Sequence, residues 1–282
     1  MKLLMCVLSC LLLLAACQKE LESEGGSVPV VEDSTLLAMY VELDTTAAAP
    51  LDTIIKKVFY YDNAKRNHIV DYVFYDAGAT YLRRSYFFFN GTDTLPFKRV
   101  DLTPSVPASS PDHINDTTYY FYDNAVLKTD SIISIATQTA RFVNKYVYNA
   151  TGTIVATTAY FPGNPIYQQV DTIAIERTNG NISKQVSTRY TSLPATYRYL
   201  YDNHPNPFHQ TAEADVKPFY YPETYIEDCY QKNNLVELDE QPQTFQFKNR
   251  YEYHVNGYPK LVRIYDLSNP AVYTKGLYFY TR

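Results

Sequence analysis

The sequence predicts an all-β protein: a long antiparallel meander of hairpin repeats, arranged as one twisted sheet that is able to curl. Three observations favour this class. The chain holds 29 Tyr and 14 Phe but no Trp, and these rings favour strands because they pack on a pleated, half-buried surface. Rings alternate with other residues in runs such as Tyr197–Tyr201 and Tyr251–Val255. Aromatic or aliphatic anchors recur about every 26 residues, which is typical of a repeat architecture.

Residues 1–16 have the pattern of a lipoprotein signal peptide. A basic start at Lys2 precedes an apolar run and the small residues Ala15 and Ala16, which come directly before Cys17. The apolar run is shorter than the roughly 20 residues that a transmembrane helix needs. We therefore expect Cys17 to become the lipidated first residue of the mature chain. An ordinary secretory signal with an incidental cysteine is the alternative.

Residues 17–32 lack periodicity and predict a flexible tether, and residues 33–282 predict the repeat domain. Gln18 is not the Asp that is associated with inner-membrane retention, and the acidic stretch Lys19–Glu22 resembles the surface-export signals of such lipoproteins. These features predict a lipid anchor in the outer membrane and exposure at the cell surface, with the periplasmic face as the alternative.

One repeat unit is an aromatic strand, a turn and a returning apolar strand. Asp or Asn after the last ring starts the turn by bonding nearby backbone groups, and Gly supplies a positive φ. Gly152 and Gly257 are expected to do so. The anchors of the successive units are Tyr61, Phe89, Tyr122, Tyr148, Ile175, Tyr201, Tyr230, Tyr253 and Tyr280.

The Tyr-x-Tyr-Asp-x-x-Gly pattern resembles the YD repeats of Rhs-type proteins. Tyr201–Phe208, which reads Tyr-Asp-Asn-x-Pro-Asn-Pro-Phe, and the pair Asn233-Asn234 before an apolar strand are more similar to lipoproteins of the Bacteroidota type built from degenerate repeats. The resemblance covers residues 57–282 and implies hairpin repeats without implying an activity. Because the units lack the Gly-Arg-Leu continuation of Rhs repeats, it does not imply a toxin-enclosing shell.

Composition and motifs argue against several classes of function. The net charge is −5 without a block of Lys or Arg, so we expect no nucleic-acid partner. The mature chain would keep only Cys17 and Cys229, and lipidation of Cys17 leaves no pair for a disulfide. Spacings typical of catalytic or metal-binding motifs are missing from the sequence, so we expect no catalytic residue, no metal and no cofactor.

A tripeptide of Asp, then Ser or Thr, then an aliphatic residue or Thr is enriched. It is similar to the O-glycosylation tripeptide of exported Bacteroidota-type proteins, but a turn that ends in Asp before a β-branched strand would also produce it. Both interpretations stay open. The candidate O-glycosylation residues are Ser34, Thr45, Thr53, Thr94, Thr117, Ser131 and Thr172.

These features predict a non-enzymatic envelope protein that contacts the membrane through its lipid. It would bind a glycan or another envelope protein, or act as a scaffold. A polysaccharide hydrolase and a periplasmic carrier of an apolar ligand are the alternatives. Residues 104–115 and 205–222 interrupt the repeat, so any activity would be expected in these two loops.

Overall fold

A computed structural model describes residues 36–45, 53–76, 79–104, 113–134, 141–148, 152–161, 164–189, 194–216, 230–241, 246–266 and 273–281. These residues belong to one compact unit, Thr35–Thr281. The signal peptide, the tether, Cys17, Ser34 and Cys229 lie outside the described residues.

The described residues form sixteen strands and two short helical segments between the twelfth and thirteenth strands. The helical segments are a 3₁₀ turn, Pro207–Gln210, and helix α1, Ala212–Val216. The strands are β1 (Leu37–Asp44), β2 (Thr53–Tyr61), β3 (Asn67–Asp76), β4 (Ala79–Phe89), β5 (Pro96–Thr103), β6 (His113–Asp123), β7 (Val126–Ser134), β8 (Arg141–Tyr148), β9 (Gly152–Phe161), β10 (Asn164–Thr178), β11 (Asn181–Arg189), β12 (Ala195–Pro205), β13 (Asn233–Gln241), β14 (Gln246–Tyr253), β15 (Pro259–Asp266) and β16 (Tyr273–Tyr280).

The sheet is a closed antiparallel barrel in which each strand pairs with its neighbours in the chain. The first and last strands also pair, so that Tyr40 lies opposite Tyr278 and Glu42 lies opposite Gly276. The predicted all-β class agrees with this architecture, but the predicted twisted single sheet is wrong. Closure pairs the backbone groups that the two edge strands of an open sheet would leave exposed. Period-2 alternation is the same in open and closed sheets, so it does not distinguish them.

Most of the repeat anchors lie at one end of the barrel, which we call the turn end. Tyr61, Phe89, Tyr148, Tyr253 and Tyr280 each end an even-numbered strand there. Several neighbouring strands are joined at this end by tight turns. Two of these turns have two central residues with positive φ, Asn124-Ala125 and Asn179-Gly180, the backbone that a two-residue hairpin requires.

The inner face of the barrel is lined mainly by rings and aliphatic side chains. One connected buried cluster runs from Leu37 and Tyr40 on β1 around most of the wall to Tyr278 on β16. Alternation places the neighbouring residues of each strand on the outer face. The hydrophobic core therefore lies inside the barrel.

Candidate functional site: the filled interior of the barrel

The connection between β12 and β13 folds into the barrel from the turn end. We call the described residues of this connection, 206–216 and 230–231, the interior segment. Its side chains Phe208, Ala212 and Tyr230 belong to the same buried cluster as the inward-facing rings of the wall. The described part of the predicted loop 205–222 therefore contains a short helix and contributes to the core.

Phe208 anchors the interior segment among rings of the strands on either side of the barrel closure. Its ring centroid lies 5.5 Å from that of Tyr40, 6.0 Å from Phe59 and 5.8 Å from Tyr278. The side chain of Asn206 accepts a hydrogen bond of 3.1 Å from the Phe208 N–H and so starts the 3₁₀ turn. Phe208 is 1% exposed, so its ring is fully removed from water.

A buried ion pair joins helix α1 to the wall. Lys57 Nζ lies 2.6 Å from Glu213 Oε2, and these side chains are 1% and 7% exposed. Lys57 also donates a hydrogen bond of 2.8 Å to the hydroxyl of Tyr230, which donates one of 2.7 Å to Glu213. Each of the three groups thus contacts the other two, which offsets the cost of burying both charges.

A second charged cluster lies on the inner face of β4 and β5. The carboxylate of Asp101 lies 3.0 Å from Arg99 and 2.8 Å from Arg83, and it accepts a hydrogen bond of 2.5 Å from Ser85. Burial alone would raise the pKa of Asp101, but the two guanidinium groups and the Ser85 hydroxyl hold this pKa below its usual range. Asp101 is therefore an ionised, paired group.

For Asp130 on β7 the effect of burial on the pKa outweighs that of its hydrogen-bond partners. Burial raises the pKa of its carboxyl, and hydrogen bonds from Tyr146 and Asn144 offset this only in part. Glu42 on β1 is similar, since burial raises its pKa against hydrogen bonds from Thr274 and Tyr40. These two carboxyl groups favour the protonated form more than an exposed acid does.

The interior segment is held at its entrance by the polar residues that carry the sequence resemblance. Asp202 accepts hydrogen bonds from the backbone of His204 at 2.9 Å and of Asn234 at 3.3 Å, and from the hydroxyl of Tyr253. Asn233 donates one of 3.1 Å to the His204 carbonyl. These residues build a turn and fix the neighbouring strands.

The candidate glycosylation residues are spread around the barrel. Thr94 is exposed in the turn before β5, whereas Ser131 on β7 is 2% exposed. Thr53 begins β2, Thr117 and Thr172 lie within β6 and β10, and Thr45 follows β1 and donates a hydrogen bond to the Tyr273 carbonyl. The tripeptides at Asp116, Asp130 and Asp171 lie inside strands, so turn chemistry does not explain them.

The buried charges of the interior are the feature that the sequence interpretation missed. Lys57 follows Lys56 in an ordinary alternating strand, and Glu213 falls in a stretch that the sequence predicts as a loop, so no local pattern marks them as partners. The close packing around Gly276 is a second feature that the sequence does not reveal. A Cβ at this position would lie 2.7 Å from Tyr40 Cε2 and 2.7 Å from Val262 Cγ1, and it would also clash with the Tyr40 hydroxyl.

Among the described residues, no three or more His, Cys, Asp or Glu side chains are grouped to hold a metal ion. No helix in this part of the chain has both the length and the apolar character needed to cross a membrane.

The barrel is similar to solved structures, although no protein-family model and no curated protein matches the chain. A porin-like protein from Bacteroides uniformis ATCC 8492 superposes with a TM-score of 0.53 at 11% identity, covering 88% of this chain and 99% of that one. A porin-like protein from Bacteroides vulgatus ATCC 8482 has 9% identity over the same shares, but its TM-score of 0.44 supports no argument. The first likeness shows a shared barrel fold.

Proposed function

We propose that this chain is a non-enzymatic envelope protein, held at the outer membrane by lipid on Cys17, whose barrel lies beside the bilayer and is filled rather than open. The observation that carries the proposal is the distribution of polarity across the barrel wall. Transmembrane barrels have an apolar band outside and a polar interior, whereas here rings, paired charges and the interior segment pack the inside, and the outer face of several strands carries ion pairs.

The outer face of β10–β15, which we call the charged wall, argues against contact with lipid tails. It carries ion pairs between neighbouring strands: Glu176–Lys184 at 2.7 Å, Glu237–Lys248 at 3.4 Å and Glu252–Arg263 at 2.7 Å. Charges at the bilayer midplane cost several kcal/mol each in such barrels. A closed barrel cannot place one sector in lipid and another in water at the same depth, so the charged wall favours a position outside the bilayer.

The interior also favours a binding or scaffolding role over hydrolysis. A glycosidase needs one carboxyl group as acid and another as base or nucleophile, both facing a substrate cleft. The buried carboxylates Asp101 and Glu213 are instead engaged by Arg99 and Lys57, and Asp130 is held by Tyr146 and Asn144. The proposed partner is a glycan or another envelope protein, bound on the outer surface.

Cell fractionation tests the anchor. The wild-type chain and a Cys17→Ser variant are expressed in a host that processes outer-membrane lipoproteins, with Cys229→Ser as the matched control. We expect wild type and Cys229→Ser in the outer membrane, and Cys17→Ser released or unprocessed. Wild type that is wholly soluble after cell breakage would contradict the anchor.

Planar-bilayer conductance tests the filled barrel, and incubation with envelope polysaccharides tests the non-enzymatic role. We expect no stepwise conductance from the purified protein and no turnover. Steady channel openings, or turnover that Glu213→Gln abolishes, would contradict the corresponding part of the proposal.

A further inference from the structure

The outer face of β6–β9 differs from the charged wall. It exposes large apolar side chains: Tyr119 at 38%, Phe121 at 54%, Ile133 at 39%, Val147 at 59% and Ile154 at 40%. We call these five residues the apolar wall. Val147 lies directly opposite Ile154, Tyr119 and Phe121 are alternate residues of β6, and Ile133 lies two residues from Ser131, the partner of Tyr119. Exposed apolar patches of this kind mark interaction sites.

Three lysines lie beside the apolar wall. Lys128 on β7 and Lys145 on β8 are exposed beside it, and Lys98 on β5 lies opposite Tyr119. Among the described outward-facing side chains of β6–β9 the one carboxylate is that of Asp123, at the β6–β7 turn. The patch therefore combines apolar side chains with lysines, and its acidic groups lie at the edges: Asp123 at the turn, and Glu176 on β10, which is paired with Lys184.

Two of these lysines contact aromatic rings on the outer face. Lys98 Nζ lies 4.2 Å from the centroid of the Phe88 ring, and Lys128 Nζ lies 5.5 Å from that of Tyr148. Their ammonium groups thus lie over the faces of exposed rings, as in cation–π contacts. Aromatic and aliphatic side chains beside lysines are the composition that binds a leaflet with anionic headgroups.

We propose that the apolar wall docks on the surface of the bilayer, with the apolar side chains entering the headgroup region and the lysines contacting lipid phosphates. This inference deepens the proposed function, since it rests on lipid anchoring to bring the barrel to the membrane. A tether raises the effective concentration of the wall at the surface, so a weak contact suffices to orient the domain. The charged wall then faces water.

A second copy of the chain fits the apolar wall less well than a bilayer does, because a symmetric contact would place lysines of one copy against lysines of the other.

Vesicle binding tests the docking without the lipid. The probe is a vesicle of phosphatidylglycerol and phosphatidylethanolamine, and the protein is the chain from Gln18 to Arg282, which contains every described strand and no lipidated cysteine. We expect cosedimentation with these vesicles and much weaker binding to phosphatidylcholine vesicles. Lys128→Glu/Lys145→Glu should remove the preference for anionic lipid.

A matched pair of variants locates the binding face. Val147→Ser changes the apolar wall, and Leu200→Ser changes the charged wall at the nearly equal exposure of 58%. We expect Phe121→Ser/Val147→Ser to weaken vesicle binding about tenfold or more, and Leu200→Ser to leave it unchanged. Circular dichroism and thermal melting establish that each variant is folded.

Three results would overturn the docking: no binding to anionic vesicles, equal losses for the two walls, or a dimer that Val147→Ser converts to a monomer without vesicle binding. The last result would assign the apolar wall to a second copy of the chain. Because this protein lacks Cys17, failure here leaves the fractionation test of the anchor unaffected, and the two proposals can fail separately.

Discussion

The hydroxyl of Tyr61, at the end of β2, donates a hydrogen bond of 2.9 Å to the carbonyl of Leu37, at the start of β1. The same relationship recurs twice around the barrel. Tyr122 on β6 donates to Pro96 at 2.9 Å, and Tyr280 on β16 donates to Pro259 at 2.8 Å. In each case a tyrosine near the end of an even strand holds the first residue of the preceding odd strand. The repeated tyrosine thus ties neighbouring strands together at the turn end.

Replacing these tyrosines by Phe tests the tie. The rings stay in place, so each change should remove only one hydrogen bond and lower the free energy of unfolding by about 1 kcal/mol. Burial raises the pKa of Tyr61 above its usual range, so its hydroxyl is protonated and able to donate at neutral pH. Urea unfolding measures the change, and the losses for Tyr61→Phe and Tyr122→Phe should add because the sites are separate.

Tyr119→Phe is the control for this series, because its ring lies on the outer face and is 38% exposed. We expect a change within about 0.5 kcal/mol. If Tyr61→Phe is as neutral as this control, the hydroxyl does not contribute to holding β1 against β2.

Gly257 is expected to be intolerant of a β-branched residue. It lies in the turn between β14 and β15 at φ +83, and an added Cβ would lie 3.4 Å from His204 Nδ1. Gly257→Val should lower the free energy of unfolding by roughly 1–2 kcal/mol or more, because β-branched residues disfavour positive φ. Gly257→Asn should cost less, since Asn adopts this conformation more readily. Equal melting temperatures for the two variants would contradict this explanation.

Turn chemistry is the part of the fold that local sequence predicts well. Asp62 follows the anchor Tyr61 and accepts hydrogen bonds of 2.9 Å from the backbone of Ala64 and of Arg66, as expected for Asp at a turn. Gly257 has the positive φ predicted for it. Gly152 begins β9, next to residues 149–151, which lie outside the described part. Because these features depend on a few adjacent residues, they can be predicted from the local sequence.

Closure and the interior segment depend instead on contacts between residues far apart in the chain. The pairing of Tyr40 with Tyr278 spans nearly the whole chain, and no alternation within either strand specifies its partner. The anchor Tyr230 keeps the repeat spacing but lies in the interior segment, where its hydroxyl bonds Glu213. The same residue type therefore fits a strand end or the core, and only the tertiary packing decides between them.

The ion pair of Lys57 and Glu213 gives a sharp test of the interior segment. Lys57→Met leaves a buried carboxylate without its cation and should lower the free energy of unfolding by about 3–5 kcal/mol. The double variant Lys57→Met/Glu213→Leu removes both charges and should be more stable than the single variant, because burying an apolar pair carries no such desolvation cost. Guanidinium unfolding of both variants and of Glu213→Leu alone completes the double-mutant cycle. Additive losses would show that the two charges do not interact.

Glycosylation is expected to follow exposure. Thr94 is exposed in a turn, whereas Ser131 is 2% exposed on β7. If the tripeptides are O-glycosylation sites, protein from a glycosylating host should carry sugar on Thr94, and Thr94→Ala should remove one increment from the intact mass. Ser131→Ala is the control and should leave the mass unchanged apart from the substitution. A wild-type mass equal to polypeptide plus lipid would leave only a structural explanation of the tripeptides.

Asp101 and Asp130 should affect the pH dependence of stability with opposite signs. Asp101 is bound by guanidinium groups, and its pKa in the folded protein lies below the ordinary value of 3.8. Its contribution is therefore complete above 3.8 and is lost as the pH falls through the lower folded value. The pKa of Asp130 lies above 3.8 because of burial. Its contribution is complete below 3.8 and is lost as the pH rises through the higher folded value, since the folded state must then hold a poorly solvated charge.

The variants Asp101→Asn and Asp130→Asn separate these effects. The free energy of unfolding of wild type minus that of Asp130→Asn should increase as the pH falls from neutral to about 4. The corresponding difference for Asp101→Asn should stay constant over that range and decrease below it, because Arg99 and Arg83 keep the Asp101 carboxylate ionised until its lower pKa is reached. Denaturant unfolding at a series of pH values measures both differences. Slopes of the same sign would mean that burial outweighs the guanidinium groups at Asp101, or that the hydrogen bonds of Tyr146 outweigh burial at Asp130.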